Sequence, residues 1–211
     1  MKISPSKENI LKKIRQALSN TVPVPFPQNE GTGNVFQPSQ QELELEFAEN
    51  FTKLQGRFSF CANEEELVAQ LQALLNARSW KKIYCKDEAI KTMLSSKGFN
   101  SFDAQDLYSC DASITDCEKL VARTGSMVMS SGQQSGRTTS VYAPVHICIA
   151  YTDQLVYDIK EALQYVKDEY ATFPTMLTLA TGPSRTADIE KTLVVGVHGP
   201  KEVFCFLVER T

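Results

Sequence analysis

At 211 residues, with 42% apolar and 22% charged side chains, the chain has the composition of a folded globular protein large enough to bury a core without staples. A net charge of −3, from 22 basic and 25 acidic residues, gives no basic field for nucleic acid, and no apolar run approaches the ~20 residues of a membrane span. Met1-Lys2-Ile3-Ser4-Pro5 runs straight into charged residues with no apolar signal core, so a cytoplasmic location is expected. The six cysteines form no C-x-x-C pair. Several, such as Cys148 and Cys205, lie inside apolar runs, so they read as buried reduced thiols and no metal site is expected in this chain.

Ser4 and Pro5 read as an N-cap followed by proline at the first helical position. Ile10, Leu11, Ile14, Ala17 and Leu18 then share one face, predicting an amphipathic helix over 5–19. Val22-Pro23-Val24-Pro25-Phe26-Pro27 is stiff and extended, and a Gly/Asn/Gln-rich run continues to residue 37. Residues 1–37 thus read as an arm whose apolar stripe needs a partner, either the main body or another chain, and 38–211 as the main domain.

Ser39 and Glu42 have capping-box spacing ahead of Leu43, Phe47, Phe51 and Leu54, a helix that Gly56 stops. Residues 57–62 read as a strand, Asn63 and Glu66 open a helix bearing Leu67, Leu71, Leu74 and Leu75, 82–85 is a short strand, and 88–97 a helix. This alternation predicts an α/β domain with a largely parallel sheet and flanking helices. Further along, 112–114 leads into a short helix over 116–123. Residues 126–130, 145–150, 176–180 and 203–208 read as strands, and 158–170 as an amphipathic helix.

Three loops carry more glycine and polar residues than turns require. Thr124-Gly125-Ser126 reads as a helix stop with Gly125 at positive φ. In loop 130–139, Gly132 gives freedom to wrap a ligand and Arg137 can grip a carboxylate or phosphate, although a solvated surface loop has the same composition. Loop 181–190 is the richest. It follows the apolar strand 176–180, and ligands gather at the carboxyl ends of parallel strands. Gly182, Ser184, Arg185 and Thr186 can offer backbone N–H groups, hydroxyls and a guanidinium to an anion, with Asp188 and Glu190 orienting Arg185 or moving a proton. The plainer account is a capped turn in which Asp188 satisfies loose backbone donors. The two histidines, His146 beside an apolar run and His198 in Val197-His198-Gly199-Pro200, are structural residues or acid–base groups.

Four segments carry a resemblance: Ala122-Arg123-Thr124-Gly125-Ser126-Met127, Ala143-Pro144-Val145-His146-Ile147, loop 181–190, and Gly196-Val197-His198-Gly199-Pro200. Together they resemble the LUD domain, the family of lactate utilization proteins B and C, over most of the chain. Short length and absence of cysteine motifs are similar to the C type. The resemblance implies the fold shared by ribose-5-phosphate isomerase, glucosamine-6-phosphate deaminase and CoA transferases. It also implies a part in oxidising L-lactate to pyruvate alongside iron–sulfur partners, lactate utilization proteins A and B, which would carry the clusters. This chain would be a binding or assembly subunit with no redox centre of its own. Its site residues would include His198, Asp188 and Glu190, with Gly132, Arg137, His146, Gly182, Ser184, Arg185 and Thr186 around a small carboxylate or other anion. The alternative is a stand-alone enzyme acting on a phosphorylated sugar, a CoA ester or another small anion. Where the family reads Ala-Glu-Thr-Gly-Thr, this chain has Arg123 in place of the acidic residue.

Overall fold

The structure, a computed structural model, describes residues 5–19, 39, 41–186 and 194–210. The chain forms two compact units, Met1–Gln37 and Pro38–Thr211. In the first, helix α1 (Pro5–Ser19) forms where the apolar spacing places it, with Ile10 and Ile14 exposed. The expected Ser4 cap and the proline-rich stretch lie outside the described residues. No described helix is long and apolar enough to cross a membrane.

The second unit opens with α2 (Leu43–Lys53), β1 (Arg57–Cys61), α3 (Glu64–Arg78), β2 (Ile83–Cys85) and α4 (Glu88–Ser96). Next come β3 (Ala112–Thr115), β4 (Lys119–Val121), a 3-10 turn at Ala122–Thr124, β5 (Ser126–Ser130), the short helix α5 (Thr139–Tyr142) and β6 (Val145–Tyr151). A 3-10 turn at Thr152–Gln154, β7 (Leu155–Val156), α6 (Ile159–Glu169), β8 (Leu177–Ala180), β9 (Arg185–Thr186), β10 (Val194–Val195) and β11 (Glu202–Val208) complete it.

Five strands make a wholly parallel sheet in the order β1-β11-β6-β3-β2. Its central strands are buried on both faces, hence their near-continuous apolar sequence. Alternation divides them between two cores. Val145, Ile147 and Ile149 of β6, with Phe204, Phe206 and Val208 of β11, pack under Leu67, Leu71 and Leu75 of α3 and Ile90 and Leu94 of α4. Cys148 and Ala150, with Val203, Cys205 and Leu207, face the opposite way. They meet Phe47 and Phe51 of α2 and Leu120, Met127 and Met129 of a second sheet. That sheet has the order β7-β4-β5-β8, with β5 antiparallel to both β4 and β8. Its outer face is covered by Ala162 and Val166 of α6. All six cysteines are buried and unpaired.

Local chemistry sets the helix starts. Asn63 caps α3 by accepting from the Glu66 N–H (2.8 Å), and Asp87 caps α4 by accepting from the N–H groups of Ala89 and Ile90 (2.9 and 3.0 Å). Three expectations are overturned. Glu42 stands at the cap position of α2 without a side-chain cap bond, and Ser39 bonds the Glu46 carboxylate instead of closing a capping box. Residues 116–123 are not a helix: Leu120 and Val121 face different cores, and the segment pairs with β5, so burial on two faces selects a strand. Strand 176–180 does not join the parallel sheet. As β8 it is the outer strand of the second sheet, so loop 181–190 does not follow a parallel strand.

Gly125 has the expected positive φ (+60°) and a second reason to be glycine. A Cβ there would lie 2.6 Å from the Asn50 carbonyl carbon and 2.8 Å from Phe51 Cα, both backbone atoms of α2. The Asn50 amide ties the same junction by donating to the Ala122 and Arg123 carbonyls (3.0 and 3.2 Å). Gly125→Ala combines left-handed strain with a backbone clash. It is expected to lower unfolding stability by about 2–4 kcal/mol, read as a shift of the urea midpoint.

Candidate functional site

His146 shares the inward face of β6 with Cys148 and Ala150, and the parity of the strand sends it between the two sheets, where it is 1% exposed. Its Nε2 lies 2.8 Å from the Thr115 hydroxyl at the end of β3, while its Nδ1 is buried with no hydrogen-bond partner. Burial holds the imidazole pKa down to about 4, so the ring is neutral near pH 7. A neutral imidazole has one donor and one acceptor nitrogen, so in either tautomer Nδ1 has an unmet hydrogen-bonding valence.

His146 lies in the wall of a cleft of about 260 Å³. The rest of that wall comes from Ser140 and Val141 of α5, the end of β8, residues 181–184, His198-Gly199-Pro200, and Val203. Backbone hydrogen bonds hold these segments together: the Ser184 N–H donates to the Pro200 carbonyl (2.9 Å), the Gly196 N–H to the Ser184 carbonyl (2.8 Å), and the Lys201 N–H to the Pro144 carbonyl (2.8 Å). Close approach requires the glycines. A Cβ on Gly199 would fall 2.7 Å from Ser184 Cβ, and one on Gly182 (φ +139°) 2.6 Å from the Leu54 carbonyl oxygen. Among the described residues of the wall none is acidic, and its polar side chains are hydroxyls and two imidazoles. Such a set can hydrogen-bond an anion or a hydroxylated compound. A neighbouring cavity of about 600 Å³ shares Val141, His198 and Gly199 and adds Lys201, Tyr108 and Tyr142.

Residues 45–208, which include every segment of this cleft, match the LUD domain. The chain belongs to the LUD domain family. It is 36% identical over 98 residues to lactate utilization protein C of Bacillus subtilis, covering 45% of this chain and 41% of that protein. It is 32% identical over 123 residues to the protein of the same name from Geobacillus thermodenitrificans, with coverage of 57% and 50%. An uncharacterized protein of Neisseria meningitidis is 30% identical over 117 residues, covering 56% of this chain and 50% of that one. The chain therefore spans about half the length of the curated relatives it matches. The crystal structure of a DUF162 family protein from Deinococcus radiodurans superposes with a TM-score of 0.59 at 18% identity, covering 82% of this chain and 99% of that one, a likeness of fold.

Of the residues singled out in this LUD domain, His146, Gly182, Ser184 and His198 come together in the cleft. Asp188 and Glu190 lie outside the described residues. Arg185 is exposed, its guanidinium donating to the Leu54 carbonyl, and Thr186 pairs with Val194 across the β9–β10 ladder. Gly132 and Arg137 belong to another place: a Cβ on Gly132 would enter the Tyr170 ring, and Arg137 donates to the Thr175 hydroxyl. Arg123, the departure from the family pattern, is paired through Nε and Nη2 with the Asp158 carboxylate (3.1 and 3.2 Å), which also caps α6. Thr115 went unnoticed in the sequence because its role depends on lying beside His146 in the sheet. Glu118 went unnoticed because 116–123 read as a helix. It is buried and accepts from the Ser130 and Tyr170 hydroxyls (2.5 and 2.7 Å).

The depressed pKa of His146 has a consequence for stability. An unfolded histidine takes up a proton near pH ~6.5, whereas the folded chain resists until about pH 4. The contribution is therefore complete above the unfolded value and lost as pH falls toward the folded one. His146→Gln should remove on the order of 3 kcal/mol of that pH dependence. Urea unfolding of both proteins through this acidic window checks it, and parallel stability curves would refute it.

Proposed function

We propose that this LUD domain binds a small carboxylate in the His146 cleft as part of an L-lactate utilization system. The observation that carries the binding reading is the buried Nδ1 of His146. It lacks a partner, and its ring lines a cleft whose described wall carries hydroxyls and imidazoles but no carboxylate. Groups of that kind normally find a partner, so a ligand oxygen placed there meets a standing requirement. An α-hydroxy carboxylate suits the set, because its hydroxyl can donate or accept and its carboxylate accepts from Ser184 or Ser140. A volume of about 260 Å³ admits a compound of a few heavy atoms. The lactate assignment is supported by the names of the relatives from Bacillus subtilis and Geobacillus thermodenitrificans.

In this reading the chain supplies binding or assembly, and iron–sulfur partners of the A and B kinds carry the electrons. All six of its own thiols are buried in the protein core. The redox step then falls to the partners, and this domain holds or hands over the acid.

Saturation-transfer NMR with L-lactate and pyruvate on the whole chain tests the cleft. Ser184→Ala, which removes a hydroxyl facing a charged ligand, is expected to weaken binding by about 1.5–3 kcal/mol, and Thr178→Trp, which fills the cleft, should abolish it. Undiminished binding in Thr178→Trp would place the ligand elsewhere. Deletion of the gene from its host should slow growth on L-lactate, and unchanged growth would remove the lactate assignment while leaving the cleft itself to the binding data.

A further inference from the structure

The cavity of about 600 Å³ beside the His146 cleft has a different character from the cleft itself. Two tyrosines stand in its wall. The rings of Tyr108 and Tyr142 lie 6.0 Å apart and are inclined at 78°, edge to face, so that they form a corner. Tyr108 is 86% exposed and Tyr142 56%, so neither ring is there to build the core. Val197, also exposed, lines the same space. A single exposed aromatic side chain is ordinary, whereas large apolar side chains gathered around one cavity mark a binding surface.

The corner is held from behind. The Asp106 carboxylate accepts from the N–H groups of Tyr108 and Ser109 (2.9 and 2.8 Å), which fixes the turn carrying Tyr108. Tyr142 ends α5, and that helix is tied at its first residue. The Thr139 carbonyl accepts from the Ser113 hydroxyl of β3 (2.7 Å), and the Thr139 hydroxyl donates to the Ser135 carbonyl (2.6 Å). Both rings therefore stand on fixed backbone, which lowers the ordering cost of seating a ligand between them.

Lys201 sets the charge. Among the described residues of this wall it is the one lysine or arginine, and none is acidic. Its backbone N–H donates to the Pro144 carbonyl (2.8 Å), and its stem crosses Gly196, where a Cβ would lie 2.3 Å from Lys201 Cγ. Tyrosine faces alone attract organic cations, but an ammonium in the same wall with no carboxylate to offset it repels them. One cation matches an anion of one charge, while a phosphate dianion calls for more donors than this wall offers.

We propose that this cavity binds an aromatic monocarboxylate, its ring seated in the corner of Tyr108 and Tyr142 and its carboxylate paired with Lys201. An arene in that corner stacks on one ring and meets the other edge-on, the two arrangements that aromatic quadrupoles favour. The site goes beyond the small-carboxylate reading of the cleft and does not rest on it, although Val141, His198 and Gly199 stand in both walls.

A ligand-observed NMR titration of the full chain with 2-naphthoate tests this, with 2-naphthylmethanol and 2-naphthylmethylammonium as the neutral and cationic comparisons. Saturable binding of the carboxylate is expected, tighter than that of either comparison. Tyr108→Ala should weaken it by roughly 3–10-fold, the range for an aromatic pair. Lys201→Met, which keeps most of the stem over Gly196, should weaken the carboxylate about 2–5-fold, as for an exposed ion pair, and leave the alcohol unchanged. Both side chains are exposed, so both variants should fold. Thr178→Trp, which fills only the cleft, should retain naphthoate binding. No saturable binding, equal or tighter binding of the alcohol or the ammonium, unchanged affinity in Tyr108→Ala or Lys201→Met, or loss in Thr178→Trp would each overturn the proposal.

Discussion

Burial of β6 and β11 on both faces is the constraint on which the rest of this structure depends. A parallel strand covered on both sides leaves its backbone no access to water, so every N–H and C=O must go into the ladder and every side chain into one of two cores. The alternation is strict enough to read residue by residue: Phe204, Phe206 and Val208 go to the helical side, and Val203, Cys205 and Leu207 to the second sheet. His146 obeys the same parity. It occupies a core position at the rim of the inter-sheet layer, where a polar ring would be costly without its bond to Thr115. The functional reading of His146 is thus a consequence of packing. The fold forces a polar group to be buried in the wall of a cleft, satisfies one of its nitrogens and leaves the other without a partner.

The glycines of the family segments follow from the same compactness. Gly125 admits the backbone of α2, Gly182 the Leu54 carbonyl and Gly199 the Ser184 side chain. Each marks a place where two segments come closer than a Cβ allows, and together they fix the approach of 181–184, 196–200 and α2 to the body of the domain. Arg123 extends this theme. Its guanidinium lies against Asp158 at the start of α6, so the charge that departs from the family pattern is spent on joining the second sheet to its covering helix.

Much of this was legible in the sequence where the signal was local. The Asn63 cap, the helical spacing of Leu67, Leu71 and Leu75, and the apolar runs at 145–150 and 203–208 all mark elements near where they form. Failures came where partners far apart in the chain decide the outcome. The pattern Cys117, Leu120, Val121 is equally at home on a helix, and only pairing with β5 and burial between α6 and the inner core make it a strand. Nothing within 176–180 says which sheet it joins, yet that membership decided whether loop 181–190 would follow a parallel strand. The cleft was half legible. His146, Gly182, Ser184 and His198 stood out by type, whereas Thr115 and Ser140 acquire meaning only from cross-strand and inter-element contact.

The cleft and the cavity at the carboxyl ends of the parallel strands differ in the groups that line them. In the cleft, burial strips the proton from His146, so any preference for an anion rests on hydrogen-bond donors and local dipoles, with no formal charge on that ring. At the carboxyl ends of the parallel strands, by contrast, Glu64, Asp87, Asp116 and Asp153 line one cavity together with Lys119 and Arg210, and burial with the nearby Asp87 charge pushes the Asp116 pKa up to about 6. Both conditions arise from desolvation acting on groups that the sheet cannot move. For a base, desolvation favours the neutral form and leaves a directional hydrogen-bonding group; for an acid among acids, it raises the cost of every charge until an opposite one arrives.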